Sequence, residues 1–265
     1  MGELIFVGLG LYDEKDISLK GLEASEEADS VYSEFYTSDL AGTSLKNIED
    51  RLDKKIRSLS REEVEKEAIP LKDAEEKTVV FLTGGDPMAA TTHIDLRLRA
   101  EEKGIETSII HSSSIFSAVP SQLGLQHYKF GRTVTLPFIS EDKKYPVSPY
   151  NNIKENMERG LHTLVLLDIN SEDKKYMDVK EGIRALLDLE DRLEEGVIQE
   201  KTLIAGLARV GSKYPEVKAD FPKELMSHDF GGGLHTMVVF GDLHFMEVDS
   251  LVNLADAPKD IEKQT

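Results

Sequence analysis

The stretch from Thr78 to His93 constrains the fold more than any other. Thr78-Val79-Val80-Phe81-Leu82 is an apolar run rich in β-forming side chains, and Thr83-Gly84-Gly85 interrupts it. Asp86-Pro87 then carries the signature of a helix start, an aspartate at the N-cap and a proline in the first helical position. The spacing predicts a strand, a glycine turn and a helix over 89–103 that Gly104 stops. In open α/β sheets such a turn lies at the carboxyl edge of the strands, where ligands bind and where glycine lets a ligand approach the backbone. This turn is therefore a candidate wall of a ligand site.

The same alternation recurs along the chain. Leu4–Gly8, Ser30–Phe35, Arg57–Leu59 and Glu106–Ile110 read as strands. A helix capped by Ser18 or Asp16 runs to about Asp29. Leu45, Ile48, Leu52 and Ile56 define an amphipathic helix, and Ser60-Arg61-Glu62-Glu63 is a capping box. In the second half, helices are expected over 153–160, 179–195, 221–226 and 245–255, with strands over 162–169, 202–207 and 234–240. Prolines at 137, 146 and 149 make 138–150 a surface loop or an edge hairpin. Strand and helix in alternation predict a largely parallel sheet covered on both faces. With 265 residues there is room for two such α/β/α domains, 1–111 and 112–265, divided at the small-residue loop His111-Ser112-Ser113-Ser114-Ile115.

Composition narrows the function. The formal charge of -18, from 50 acidic and 32 basic residues, argues against a nucleic-acid partner, which requires a basic face. There is no cysteine, so disulfides, thiolate zinc sites, iron–sulfur clusters and cysteine nucleophiles are all excluded. No apolar stretch approaches a membrane span, the first residues lack a signal peptide, and Phe6 stands where myristoylation requires Ser or Thr. A cytoplasmic protein without a membrane partner is expected.

Two nucleotide motifs fail on spacing. Gly8-Leu9-Gly10-Leu11-Tyr12-Asp13 begins like a dinucleotide fingerprint, but Asp13 occupies the third glycine position. Gly206 and Gly211 have the separation of a phosphate loop, yet Ser212-Lys213 reverses the required order. What remains are three loops that each follow a strand: Gly8–Asp13, Gly84–Pro87 and Ala208–Gly211.

These loops carry a specific resemblance. Gly8-Leu9-Gly10-Leu11-Tyr12-Asp13-Glu14-Lys15-Asp16-Ile17, Glu34-Phe35-Tyr36-Thr37-Ser38, Gly85-Asp86-Pro87 with Ala90-Thr91-Thr92-His93, and Tyr128-Lys129-Phe130-Gly131 occur in that order. Arg159-Gly160-Leu161-His162-Thr163-Leu164, Leu167-Asp168-Ile169 and Leu207-Ala208-Arg209-Val210-Gly211 follow. Together they resemble the diphthine synthase family, of archaeal type, whose members share the tetrapyrrole methylase fold. The resemblance implies two α/β domains with a cofactor cleft between them. It implies S-adenosylmethionine as methyl donor, with no metal. The implied substrate is translation elongation factor 2, trimethylated on the amino group of a 3-amino-3-carboxypropyl-histidine during diphthamide biosynthesis. A homodimer is implied as well.

Carried over by position, the resemblance assigns the cofactor site to Leu11, Asp86, Ala89, Ser114, Ile115, Leu167, Val210 and His235. Most of these offer backbone groups and apolar surface, as an adenosine and a methionine tail require. Each also has a structural reading: Asp86 as a helix cap, His235 as a strand-end histidine held by backbone, and Leu11, Ile115, Leu167 and Val210 as core. Glu34 and Thr91-Thr92 read either as acceptor contacts or as capping and packing groups. No catalytic residue is assigned, because a sulfonium donor is already activated and transfer depends chiefly on alignment. The alternatives are a corrinoid or other tetrapyrrole methyltransferase of the same fold, and a non-catalytic adaptor that binds S-adenosylmethionine.

Overall fold

The computed structural model describes residues 2–36, 38–138, 145–170 and 173–264. Two compact units are present, the first running to Ile115 and the second beginning at Phe116.

The first unit holds β1 (Glu3–Gly8), α1 (Leu19–Glu27), β2 (Ser30–Glu34), α2 (Leu45–Leu52) and β3 (Ile56–Ser58). It continues with α3 (Arg61–Glu65), α4 (Ile69–Asp73), β4 (Thr78–Thr83), α5 (His93–Glu102) and β5 (Glu106–Ile110). Its sheet has the order β3-β2-β4-β1-β5, and every pair in it is parallel. The continuous apolar runs of β1 and β4 follow from burial on both faces. Leu4 and Phe6 pack on one face with Phe81, Tyr32 and Leu96, while Ile5 and Val7 pack on the other with Val80, Leu82, Ile48 and Leu52. Each such side chain contributes about 1.5–3 kcal/mol through its removal from water.

The second unit departs from the parallel expectation. After α6 (Ile115–Leu123) come β6 (Val134–Leu136), α7 (Ser148–Glu158), β7 (Thr163–Leu167), β8 (Ile169–Asn170) and β9 (Lys175–Tyr176). Then follow α8 (Val179–Leu193), β10 (Ile204–Ala208), β11 (Glu216–Asp220), α9 (Pro222–Ser227), β12 (His235–Val239) and α10 (Phe245–Leu254). The main sheet, β11-β10-β12-β7-β6, is antiparallel except for the β6–β7 pair. The loop from β10 to β11 is too short for a crossover, so the chain must return as a hairpin. Val165, Leu167, Ile204, Met237 and Val239 face α7 and α8, whose Tyr150, Ile153, Ile183, Leu186 and Leu189 complete this core.

Four local readings are corrected. Helix α2 stops at Leu52, where Asp53 takes φ +48°, so Ile56 opens β3 instead of continuing the helix of Leu45, Ile48 and Leu52. The helix expected after Pro87 starts at His93, not near Ala89, because Ala90 has φ +56° and the segment before it turns irregularly. Helix α7 begins at Ser148 with Pro149 in its first turn, where proline is tolerated, rather than at Ile153. Strand β11 carries no strand signal in the sequence, because Glu216-Val217-Lys218-Ala219-Asp220 is a polar edge strand without an apolar run. Of the loop reading of 138–150, residues 139–144, like Thr37, lie outside the described residues, 145–147 are irregular as expected, and Ser148–Tyr150 belong to α7 instead. Among the described residues, no helix is long and apolar enough to cross a membrane.

Candidate functional site

In the first unit the strand order places β4, β1 and β5 side by side, so their carboxyl ends deliver 84–87, 8–13 and 111–115 to one edge. The first two loops are bonded to each other. Gly85 N–H donates to Gly10 O at 2.7 Å, and Gly10 N–H donates to Gly85 O at 3.3 Å. Glycine is required here by space as well as by conformation. A Cβ on Gly8 would lie 2.5 Å from Gly85 O, and Gly10 has φ +83°. At Gly85 a Cβ would meet nothing within 4 Å, although its φ of +73° excludes most side chains.

Asp86 occupies the centre of this edge and is not a helix cap. Its Oδ1 accepts Met88 N–H at 3.1 Å, closing a local turn of the backbone. Its Oδ2 lies 2.7 Å from His111 Nδ1 and 3.4 Å from Ser112 N. Asp86 is therefore tied to the loop after β5, with 16% of its side chain exposed.

Of the two candidate caps, Ser18 and not Asp16 caps α1, through Gly21 N–H at 3.1 Å. The Asp16 carboxylate instead accepts the N–H groups of Leu11 at 3.2 Å, Tyr12 at 2.7 Å and Asp13 at 3.4 Å. The Leu11 amide is thereby occupied, which leaves its side chain and carbonyl to face a ligand. Leu11, Ala89, Ser114 and Ile115 are all half-buried at this edge of the first unit.

The Thr91-Thr92-His93 segment secures the Asp86 turn. Thr91 Oγ1 donates to Pro87 O at 3.2 Å, and His93 Nδ1 approaches the same oxygen at 3.1 Å. Thr92 donates to Glu65 at 3.0 Å. Glu34, at the end of β2, accepts Tyr36 N–H at 3.0 Å and lies 3.4 Å from His93 Nε2. Burial and the Glu34 and Glu65 carboxylates push the Tyr36 hydroxyl pKa well up.

In the second unit, Leu167, Val210 and His235 also lie at one end of their sheet. The register pairs Ala208 with His235 and Thr236 with Leu166, so Leu167, which pairs with Leu136 of β6, lies one residue past the β12 pairing, and Val210 follows the end of β10. His235 follows its structural reading. Its Nδ1 accepts Val179 N–H at 3.3 Å, so Nε2 carries the proton donated to Gly231 O at 3.1 Å. Burial lowers its pKa, so the ring is held neutral, and its hydrogen-bonding atoms are engaged by backbone.

Arg209, outside the residues assigned by the resemblance, shapes this end. Its backbone has φ +54°, its N–H donates to Leu234 O at 3.0 Å, and its Nη1 donates to Phe230 O and Gly232 O, each at 2.7 Å. One guanidinium thus pins the loop that presents His235. His111 and Arg209 act through partners more than twenty residues away, which a local pattern does not reveal, whereas Asp16 bonds amides three to five residues before it. Among the described residues no group of three or more His, Asp or Glu side chains is placed to hold a metal ion.

With its parallel sheet, two interlocked glycine loops at the carboxyl edge and a following mixed sheet, the chain is a methylase by family. The chain belongs to the tetrapyrrole (corrin/porphyrin) methylase family, whose model matches residues 3–217. Within that family its similarity is to diphthine synthases. It is 51% identical over 256 residues to diphthine synthase of Methanothermobacter thermautotrophicus, covering 97% of both chains. With that of Methanocaldococcus jannaschii it shares 49% over 256 residues, covering 96% of this chain and 99% of the relative. A crystal structure of diphthine synthase superposes with a TM-score of 0.90 at 40% identity, covering 99% of each chain.

Proposed function

We propose that this protein transfers methyl groups from S-adenosylmethionine to the amino group of the 3-amino-3-carboxypropyl-histidine of translation elongation factor 2, ending at the trimethylated product. The single observation that carries the reading is the Gly10–Gly85 backbone bridge with Asp86 beside it, in a chain half identical to diphthine synthases over nearly its whole length.

The residues at the first edge fit such a donor. Gly85 leaves open space next to a carboxylate whose position is fixed by His111 and Ser112, and Leu11 and Ile115 add apolar surface. Ala89 and Ser114 are further candidate contacts in the first unit. Leu167, Val210 and His235 are the candidates in the second, with His235 contributing ring surface and backbone because its nitrogens are already bonded. When bound, the donor supplies a methyl group activated by its sulfonium charge. What the protein supplies is alignment, through backbone groups held by Asp16 and Arg209 and a turn held by Thr91 and His93. A cytoplasmic homodimer belongs to the same reading, and sedimentation tests the dimer.

Calorimetry with S-adenosylmethionine tests the donor. Mass spectrometry of elongation factor 2 bearing the unmethylated precursor, incubated with protein and donor, tests the acceptor. Methyl increments up to three are expected, and an unchanged mass would reject the assignment. Methylation of a corrinoid precursor instead would place the protein with other members of the wider family.

A further inference from the structure

The motif residues Glu34 and His93 are more than packing. Pro87 O has two donors, Thr91 Oγ1 and His93 Nδ1. A proline carbonyl can only accept, so the His93 proton is on Nδ1. That leaves Nε2, which makes no aligned hydrogen bond and lies 3.4 Å from Glu34 Oε1, with both side chains fully excluded from solvent. A bare Nε2 lone pair facing a carboxylate oxygen in a buried site is repulsive, and a proton between them removes the repulsion.

The surroundings single out this place. Among the described residues, Ser33 Oγ, Tyr36 Oη, Thr83 Oγ1 and His93 Nε2 are buried side-chain atoms without hydrogen-bond partners, and they gather where β2 and β4 end and α5 begins. Native folds leave few such atoms, and their concentration beside a ligand-type turn marks a functional constraint. The groups that face the pair are known. The Phe81 ring stands edge-on to His93 at 5.0 Å, and Tyr36 follows Glu34. Burial lowers the His93 pKa, while the Pro87 carbonyl and the Glu65 charge from α3 act against it; Glu65 also raises that of Tyr36, and Arg61 lies 5.1 Å over the Tyr36 ring. Arg99 donates to Glu65 O at 3.0 Å.

We propose that Glu34 and His93 form a buried positioning pair for methyl transfer, in which one proton held between Oε1 and Nε2 fixes the Pro87 carbonyl and through it the Asp86 turn. The pair joins two motifs far apart in sequence, Glu34-Phe35-Tyr36 and Asp86-Pro87 with Thr91-Thr92-His93. It rests on the reading that the Asp86 turn meets the donor.

The test compares Glu34→Ala with Glu34→Gln. The alanine leaves Nε2 without a partner, whereas the glutamine amide offers it a permanent N–H. Calorimetry with S-adenosylmethionine from about pH 7 to about pH 10 should show wild-type affinity falling at the alkaline end as the shared proton is lost. Glu34→Ala should bind about tenfold or more weakly throughout while remaining folded by circular dichroism, and Glu34→Gln should restore most of that loss and abolish the alkaline fall. Nitrogen-15 spectra of the His93 imidazole and hydrogen exchange at Met88 N–H read the pair without donor. Hydrogen-bonded Nε2 and a protected Met88 amide in wild type, both lost in Glu34→Ala, support the pair. A free Nε2, or a Glu34→Gln profile that falls in parallel with wild type, would overturn it. Absence of donor binding by wild type would reject the functional reading alone, with the imidazole and exchange measurements still deciding whether the pair exists.

Discussion

His111 Nδ1 lies 2.7 Å from Asp86 Oδ2, which ties the loop after β5 to the turn after β4 across the intervening strand β1. The other carboxylate oxygen closes the turn on Met88 N–H. Replacing Asp86 with Asn separates these roles, since an amide oxygen still serves Met88 but the opposite side loses its charge. Asp86→Asn should weaken S-adenosylmethionine binding about tenfold or more, as loss of a charge-assisted hydrogen bond costs about 1.5–3 kcal/mol. Calorimetry measures this, and a thermal melt alongside it should change little.

Gly8→Ala should disrupt the interlocked loops. The new Cβ would lie 2.5 Å from Gly85 O and 2.7 Å from the Ser112 Cβ, and backbone cannot give way as a flexible side chain can. Overpacking of this kind costs about 1–3 kcal/mol. Denaturant unfolding should show that loss, and donor affinity should fall with it.

Arg209→Ala should loosen the 230–234 loop while leaving its own strained φ in place. The two carbonyls of Phe230 and Gly232 lose their common donor. A stability loss of about 1–2 kcal/mol is expected for partly exposed bonds to a charged group. Hydrogen exchange should quicken at the amides of 231–235 well before the rest of β12. Uniform protection in the variant would show that the guanidinium does not hold the loop.

Acid should destabilise the second unit through two histidines, His162 buried and His235 half-buried. His162 Nδ1 accepts Gly241 N–H at 3.1 Å and its Nε2 faces Glu247 at 3.3 Å, while both nitrogens of His235 are bonded as described. Burial lowers the pKa of each ring in the fold. The unfolded chain then takes up protons first as pH falls, so stability is fully present above the ordinary histidine range, near about pH 6.5, and declines below it. It stops declining on this account once the folded rings also protonate. Unfolding curves at about pH 7.5 and about pH 5.5 should differ less for His235→Gln, which keeps an acceptor and a donor but does not titrate.

Much of the first unit is legible in local pattern. The apolar runs of β1 and β4 encode burial on both faces, and the Ser60 capping box forms as read, with Ser60 and Glu63 bonded in both directions. The turn at Gly84–Pro87 is placed correctly at a strand end, but Asp86 illustrates the limit. Its local context is that of an N-cap, and only the arrival of His111 and Ser112 from the end of β5 turns the carboxylate to a different use. Strand β11 escaped for a related reason, because an edge strand is specified by its neighbour β10 more than by its own polar sequence.

The sequence by itself determined the strand–loop–helix alternation, the glycine positions and, through motif resemblance, the methylase family. These depend on backbone conformation and burial period, which act over a few residues. Tertiary structure decided which distant groups meet: Asp86 with His111, Arg209 with the Phe230 and Gly232 carbonyls, and Glu34 with His93. A polar side chain has several near-equal partners in an unfolded chain. Strand order and helix packing select one among them, because a buried polar atom is costly until it is matched.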